Sequence, residues 1–560
     1  MGDLTLEHIK TRATTSFRTL THKLAALLGA FLLALNATSA MAKDAFAGVW
    51  RAAPDSAGIS GYVDIEIRLD DMGQYQLVLR GPDSIPGAAS PVEALVEGQA
   101  IKAELPLVLP FLDGFMANPT KLNAASDGEG GLIATLTDQL GKKIVLTMRP
   151  SDERQFRRFE FPRIDTTGER VTQYRYAAPI AEPGGLPVST LAAQNIDQGR
   201  VEAAVSTILT GNTKFSSVTI VRNGHLVLEE YFHGINPARP WLMHSVSKSI
   251  SSLLVGQAVN ARKLDIDRPI NRYFREYSSS NWIASTRSRG ITPRHLLRMG
   301  NMVGWGDETG TQASDAYSDG ESPLLQALLS GDWLRAFLDY RVITTDPDLY
   351  FTYNTMTTNL LGATLERATG KPLSDLAQKN LMEPLGETVS YFASFPEGQL
   401  RNKDRPALGG SYFAARPLAL AKIGQMVLDR GRWQGKEVID ESWIRTSTSV
   451  AAFSPETSST AYGHQWWLYK WQSAKDAPPR WLISATGYGG QNIMIVPSLS
   501  LVITTTGTDF SATEEHGQIL LNKVVQAILG SDAEMIGMNI NASELGYAPL
   551  APIPGQIRAR

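Results

Sequence analysis

The sequence contains no cysteine among its 560 residues. This absence excludes disulfide bonds, thiolate metal ligands and a cysteine nucleophile. A strong excess of one charge is also missing, because 53 basic and 56 acidic side chains give a formal net charge of −3. Nucleic acid is therefore not an expected partner.

Apolar runs long enough to cross a membrane are absent as well. The run "LAALLGAFLLAL" at 24–35 is too short to span a bilayer comfortably. It follows four basic residues and precedes the small residues around Ala42, which is the pattern of a bacterial secretory signal peptide. We expect removal of residues 1–42 and a periplasmic or secreted protein without stable membrane insertion. An uncleaved membrane anchor is the alternative.

Several motifs of hydrolytic enzymes are missing too. No G-x-S-x-G elbow marks an α/β-hydrolase triad, and no H-E-x-x-H helix marks a zinc protease. His225 and His233 lie eight residues apart, which is not a zinc-ligand spacing. We therefore expect neither a metal nor an organic cofactor.

The apolar pattern that is present changes along the chain. From 45 to about 160, short runs such as "KIVLTMRP" alternate with period two, which predicts a small antiparallel β barrel or sandwich. Beyond a Pro- and Gly-rich hinge, Asp197 and Gly211 can bound a helix, and Asn223-Gly224 predicts a hairpin.

The second half is mainly helix and loop from 260 to 450, and it closes with a strand pair and an amphipathic helix. Strands and helices at both ends of this region predict an α+β fold, an antiparallel sheet flanked by helices with a helical subdomain. The expected divisions are the signal peptide 1–42, a β-rich accessory domain 43–165, a main domain 166–535 and a tail 536–560.

Ser245 and Lys248 lie three residues apart in "WLMHSVSKSISSLLVG". On a helix this spacing brings a hydroxyl and an amine to one face, so that lysine can take the proton of a serine nucleophile. Free N–H groups at the helix start can also bind an oxyanion. The spacing alone favours the simpler interpretation, a serine that caps a helix.

Two further segments supply possible partners. Tyr353, in "YFTYNTM", stands before a predicted helix that begins near Met356 and could relay a proton. In "ISATGYGGQ", glycines allow close approach to an edge strand, where the N–H of Tyr488 could be a second oxyanion donor and Ala485 is the alternative. Packing of Tyr353 under the helix, or a plain glycine bend, are the simpler interpretations.

In this order the three segments resemble the serine β-lactamase and penicillin-recognising enzyme superfamily. The similarity extends over about 175–530, and it looks closest to class C β-lactamases, their esterase relatives and the 6-aminohexanoate-dimer hydrolases. The segment "ITPRHLLRMGNMVGW" resembles the superfamily's "LL-x-M-x-S-G" segment, whereas "YGHQWWLY" and "GYGGQ" are especially similar to the aminohexanoate-hydrolase branch. The resemblance implies the β-lactamase/transpeptidase-like fold. It also implies that Ser245 is acylated, that Lys248 is the general base, and that Tyr353 assists proton transfer. The N–H groups of Ser245 and Tyr488 would form the oxyanion hole.

The sequence departs from this superfamily at two motifs. Thr355 replaces the asparagine of Y-x-N, which keeps a hydroxyl but loses an amide for substrate recognition. Ala485-Thr486-Gly487 replaces K-T-G, so the cation that would pair with the carboxylate of a β-lactam is missing. The departures favour an ester or amide substrate over a β-lactam.

Other candidate residues belong to the expected cleft. Thr355, Gly487 and Trp466 are expected to contact substrate, and the resemblance adds Asp315 and Tyr317 in a polar loop. Core packing for Trp466 and a solvated surface for the loop are the alternatives. His244 adjoins the nucleophile but is badly aimed to act as its base.

The sequence thus predicts an exported serine hydrolase of small esters or amides. A non-catalytic binding protein that retains the fold, and a true β-lactamase or peptidase, are the alternatives.

Overall fold

The computed structural model describes most of two regions of the chain. The described residues are 46–52, 63–70, 72–80, 92–105, 120–137, 141, 143–150, 174–210, 215–232, 237, 240–281, 283, 290–300, 332–339, 350–351, 353–387, 390–392, 407–451, 460–471, 478, 480–507, 513–529 and 548–549. The predicted signal peptide, Gly211, Asp315 and Tyr317 lie outside them. Among these residues, no helix combines the length and the apolar character that a membrane span requires.

The first region is a closed antiparallel barrel of eight strands. Its strands are β1 Gly48–Ala52, β2 Val63–Leu69, β3 Tyr75–Arg80, β4 Val92–Glu97, β5 Ala100–Leu105, β6 Thr120–Ser126, β7 Leu132–Thr137 and β8 Lys143–Pro150. Each strand pairs with the next, and β1 pairs with β8 to close the ring. Alternate residues of β8, Ile144, Leu146 and Met148, are buried while their neighbours face outward. The predicted accessory β domain is therefore confirmed as a barrel with side chains filling its interior.

The second region is built on a seven-stranded sheet in the order β10-β9-β21-β20-β19-β18-β17. The strands are β9 Phe215–Arg222, β10 His225–Tyr231, β17 Thr460–Tyr462, β18 Trp467–Trp471, β19 Arg480–Gly487, β20 Gln491–Val496 and β21 Leu501–Gly507. The predicted hairpin joins β9 to β10, where Asn223 and Gly224 both have positive φ, at 49° and 77°. Positive φ at both turn residues is what a two-residue hairpin of this kind requires.

Helices cover both faces of this sheet. The longer ones are α1 Gln198–Thr210, α2 Val246–Asn260, α5 Thr355–Thr369, α7 Pro417–Leu428 and α9 Thr513–Leu529, and the shorter ones are α3 Pro293–Leu297, α4 Trp333–Leu338, α6 Leu373–Leu376 and α8 Glu441–Ser447. A π-helical turn at Ala377–Met382 and 3-10 turns at Ala192–Gln194, Ile270–Tyr273, Arg275–Tyr277, Glu383–Leu385 and Pro497–Leu499 complete them. The side chain of Asp197 accepts a hydrogen bond from Arg200 N–H at the start of α1, which is the predicted cap.

Alternate residues of the central strands enter two separate cores. Ile493 and Ile495 of β20 pack with α2, α5 and α7, whereas Met494 and Val496 pack with α1 and α9. A strand buried on both faces joins the two helix layers through the period-two alternation of its side chains. This is the β-lactamase/transpeptidase-like arrangement expected from the sequence.

Short strands border the sheet region, and one expectation is corrected there. One small sheet has three strands, in which β14 Phe413–Ala415 lies between β11 Trp241–Leu242 and β13 Ser390–Phe392. Two further sheets have two strands each, β12 Tyr350–Phe351 with β22 Ala548–Pro549, and β15 Arg432–Trp433 with β16 Lys436–Glu437. The strand that ends at Gly487 was expected at the edge of the sheet. It lies inside the sheet, because β18 pairs with it on one side and β20 on the other.

Candidate active site

Ser245 stands directly before α2, but its side chain does not cap the helix. Its backbone is helical (φ −68°, ψ −10°), and its hydroxyl makes no capping hydrogen bond. Instead, Ser245 Oγ lies 2.8 Å from Lys248 Nζ. The cap interpretation of the spacing is therefore wrong, and the hydroxyl of Ser245 is in hydrogen-bond contact with Lys248 instead.

Lys248 is the buried member of the pair, with a relative exposure of 1%. Its Nζ lies 2.8 Å from Ser245 Oγ, 2.8 Å from Thr355 Oγ1 and 2.9 Å from the carbonyl oxygen of Gly410. All three contacts are neutral oxygens, and burial away from water disfavours the charged ammonium. The amine thus lies out of water and against the serine hydroxyl, which is the position that a general base requires.

Lys248 can take the proton of Ser245 only in its neutral form. A neutral amine has two N–H groups and one lone pair, and the Gly410 carbonyl can only accept. If Lys248 donates to Gly410 and to Thr355, the lone pair faces the Ser245 hydroxyl and can receive its proton. Such an arrangement would activate the serine as a nucleophile.

Tyr353 lies over the amine. Its ring centroid is 4.8 Å from Lys248 Nζ, and the ring stacks on Trp467 at 5.3 Å with planes 28° apart. Tyr462 packs edge-on against the same ring at 6.2 Å. Two aromatic neighbours thus fix the predicted proton relay beside the base.

Thr355 supports the lysine from the first turn of α5. The helix begins here because the Asn354 side chain accepts the Thr357 N–H at 3.0 Å, which caps the N-terminus. Thr355 is buried, and its hydroxyl contacts Lys248. The residue that replaces the asparagine of Y-x-N is therefore turned toward the base.

Gly487 and Tyr488 lie beside the nucleophile at the end of β19. A Cβ on Gly487 would stand 2.5 Å from the Met243 carbonyl oxygen and 3.1 Å from Ser245 N. Only glycine permits such a close approach of the two backbones. Within the described part of the chain, Ser245 N–H donates to no backbone acceptor, and it is the first of the two predicted oxyanion donors.

The alternative donor, Ala485, has a different position. Ala485 pairs with Ile493 inside the sheet and is buried in the core that includes α2. Tyr488 follows the last paired residue of β19 and packs edge-on against His244, with ring centroids 5.9 Å apart. Because Tyr488 lies in the turn, outside the β19–β20 ladder, it is favoured over Ala485 as the second oxyanion donor.

His244 is unsuited to acid–base work near neutral pH. Burial, and secondarily the positive charge that Lys248 carries when it is protonated, lower the pKa of His244 to about 4. Its imidazole is therefore neutral at pH values well above 4. His244 also has a left-handed backbone, with φ 45°, which sets the turn into α2.

The site opens to solvent on one side. Ser245, Tyr353 and Tyr488 are each partly exposed, whereas Lys248 and Thr355 are buried beneath them. A substrate can thus reach the serine and the tyrosines while the base is shielded from water. Trp466 was expected to contact substrate, but its side chain is fully buried in the core next to α2 and α7, at 0% exposure, which is the core-packing alternative. No group of histidine and carboxylate side chains suited to a metal occurs among the described residues.

The sequence did not predict two residues of the site, Gly410 and Asn359. Gly410 supplies a carbonyl to Lys248, and Asn359 accepts the Gly410 N–H at 2.9 Å. The paired glycines in "LGGSYF" were the available signal, because adjacent glycines mark close backbone contact. A Cβ on Gly410 would stand 2.7 Å from the Thr355 carbonyl oxygen.

Comparison with known proteins identifies the family of this chain. The family model described as Beta-lactamase matches residues 193–524. A 6-aminohexanoate-dimer hydrolase from Paenarthrobacter ureafaciens is 24% identical over 294 residues, which cover 51% of this chain and 70% of that protein.

Two solved structures are among those that are similar to this chain. One is EstCE1, a hydrolase with promiscuous acyltransferase activity, at 16% identity and a TM-score of 0.48, covering 60% of this chain and 100% of that chain. Another is the octameric penicillin-binding protein homologue from Pyrococcus abyssi, at 17% identity and a TM-score of 0.46, covering 61% of this chain and 79% of that chain.

Proposed function

Because this chain belongs to the beta-lactamase family and is a serine hydrolase, we propose that it cleaves an ester or amide bond through an acyl-enzyme on Ser245. The observation that carries the proposal is the 2.8 Å contact between Lys248 Nζ and Ser245 Oγ, with the lysine buried beneath a partly exposed serine.

The chemistry begins when the lone pair of Lys248 takes the hydroxyl proton of Ser245. The Ser245 oxygen then forms a bond to the acyl carbon, and the carbonyl π electrons move to oxygen. The N–H groups of Ser245 and Tyr488 stabilise this oxyanion. As the oxyanion re-forms the carbonyl and the bond to the leaving alcohol or amine breaks, the proton held by Lys248 passes through Tyr353 to the leaving group, so that both side chains return to their starting protonation states. Water then attacks the ester on Ser245 by the reverse proton path, which releases the acid and restores the serine.

The proposed substrates are small esters or amides whose acyl part carries no carboxylate that must be paired. Ala485 stands where a β-lactamase has a lysine, and its side chain is buried in the core. A β-lactam carboxylate would therefore lose the charge-assisted contact that orients it. The relative named 6-aminohexanoate-dimer hydrolase supports inclusion of linear amides among the substrates to be tested.

We place the working protein in the periplasm or outside the cell. The basic segment followed by the apolar run at 24–35 and the small residues before Lys43 supports export through a signal peptide. The partner in this proposal is the small-molecule substrate, and neither nucleic acid nor a stable membrane insertion takes part. N-terminal sequencing of the protein from a periplasmic fraction should begin at or near Lys43. A protein that retains the leader and sediments with membranes would contradict this placement.

Activity is tested with a panel of substrates on the purified full chain and on Ser245→Ala. Short p-nitrophenyl esters and an aminohexanoate dimer should be hydrolysed, nitrocefin should be hydrolysed much more slowly, and Ser245→Ala should be inactive on all of them. Rapid nitrocefin turnover would overturn the argument from Ala485 and favour a β-lactamase. Absence of turnover by well-folded protein on the whole panel would favour a binding protein.

A further inference from the structure

Helix α5 presents a second polar side chain to the loop that contacts the lysine. Asn359 follows Thr355 by one helical turn, so both residues lie on one face of α5. Asn359 is completely buried, and its Oδ1 accepts the Gly410 N–H at 2.9 Å. Its Nδ2 donates to Met356 Sδ at 3.3 Å. A buried amide with both ends engaged has a fixed orientation.

The residue that Asn359 holds is the one that contacts the base. Gly410 receives Lys248 Nζ on its carbonyl oxygen at 2.9 Å and gives its N–H to Asn359. A Cβ on Gly410 would stand 2.7 Å from the Thr355 carbonyl oxygen and 3.0 Å from Asn359 Oδ1. The close approach of this backbone to α5 is possible only because residue 410 is glycine.

Helix α2 holds the same loop from the other side. Ser251 Oγ donates to the Gly409 carbonyl at 2.7 Å, and Ser247 Oγ accepts the Phe413 N–H at 2.9 Å. The loop 409–413 is thus clamped between α2, which carries the catalytic pair, and α5, which carries Asn359. Among these contacts, only the one from Asn359 acts on the residue whose carbonyl meets the lysine.

We propose that Asn359 is a positioning residue that fixes the Gly410 carbonyl as the acceptor that aims Lys248 Nζ at Ser245 Oγ. This inference rests on the proposed role of Lys248 as general base. A lysine has four rotatable side-chain bonds, so an amine with one acceptor lost can turn away from the serine. A misplacement of about 1 Å in a catalytic group can lower the rate by about 100-fold.

Two variants and a matched control test the proposal. Asn359→Leu keeps the approximate size but removes the acceptor for the Gly410 N–H. Asn359→Asp keeps that acceptor and adds a negative charge near the amine. Thr364→Val is the control, because Thr364 is fully buried on the same helix and its hydroxyl contacts only the Leu360 carbonyl, at 2.7 Å, among the described residues.

The measurements are kcat, KM and the pH profile of kcat/KM on a p-nitrophenyl ester, together with the melting temperature. For Asn359→Leu we expect kcat to fall about 10- to 100-fold with little change in KM. The acid limb of its profile should move to lower pH, since the ammonium form loses a hydrogen-bond acceptor. For Asn359→Asp, the acid limb should move to higher pH, since a nearby carboxylate favours the ammonium form of Lys248. At pH values above that limb, kcat should largely return to the wild-type value. Thr364→Val should match the wild type.

A shift of the acid limb to lower pH in Asn359→Leu and to higher pH in Asn359→Asp would indicate a positioning role. A loss of stability alone would lower the activity of both variants and leave the acid limb at the wild-type pH. Wild-type kcat and an unmoved limb in the two folded Asn359 variants would overturn the inference while leaving the proposed function intact. If Asn359→Leu fails to fold, the limb of Asn359→Asp decides, and an unmoved limb overturns the inference. Inactivity of the wild type on every substrate would overturn the proposed function and this inference together.

Discussion

The contact between Thr355 and Lys248 gives the sharpest quantitative prediction. Thr355 Oγ1 lies 2.8 Å from Lys248 Nζ in a buried setting. Thr355→Val keeps the branched shape but replaces the hydroxyl with a methyl group. Loss of one partner of such a buried hydrogen bond costs about 1–3 kcal/mol. We therefore expect kcat/KM on a p-nitrophenyl ester to fall about 5- to 150-fold.

The division between kcat and KM tests the reasoning behind this number. A hydroxyl that orients the base should affect kcat, whereas a hydroxyl that binds substrate should affect KM. Thr357→Val is the matched control, because Thr357 is buried on the same helix and its Oγ1 has no hydrogen-bond partner among the described residues. The control should keep wild-type kinetics. A Thr355→Val enzyme with unchanged kcat and raised KM would refute the positioning role and restore Thr355 as a substrate contact.

Three other predictions concern the oxyanion site and stability. Gly487→Ala places a methyl carbon 3.1 Å from Ser245 N, so kcat should fall about 100-fold or more, and near wild-type kcat would contradict the proposed oxyanion site. Burial raises the pKa of Glu366 from 4.5 to about 7, so the stability that its neutral form contributes is complete below pH 4.5 and is lost as the pH rises through about 7. Glu366→Gln should flatten the melting temperature across that window, and an equal slope in both proteins would count against this assignment. Glu387 is buried and lies 2.6 Å from each of two cationic groups, so Glu387→Gln should lower the free energy of unfolding by about 3–5 kcal/mol in urea titrations, and a loss below about 1 kcal/mol would refute the pairing.

Local sequence patterns predicted the elements whose structure depends on near neighbours. The alternation in "KIVLTMRP" predicted a barrel strand, and Asn223-Gly224 predicted the turn between β9 and β10. The spacing of Ser245 and Lys248 predicted their contact, since α2 brings side chains three residues apart together. Each of these predictions needs only the geometry of one strand, turn or helix.

Local sequence patterns could not predict the contacts between segments that are far apart in the chain. Strands β17 and β18 carry apolar side chains on both faces, so no alternation marked them, and β19 was expected at the edge of the sheet. Gly410 and Lys248 are 162 positions apart, and their contact depends on how loop 409–413 lies between α2 and α5. The replacement of asparagine by Thr355 was visible in the sequence, but its contact with the base required the packed helices.

Covalent capture of the nucleophile tests the central claim most directly. The full chain is treated with a fluorophosphonate, digested and analysed by mass spectrometry, with Ser245→Ala and Lys248→Met in parallel and circular dichroism to confirm folding. We predict one modified peptide, with the label on Ser245, no label in Ser245→Ala, and much slower labelling in Lys248→Met. Folded wild-type protein that takes no label, or takes it on a different serine, would contradict the assignment of Ser245 and Lys248 as nucleophile and base.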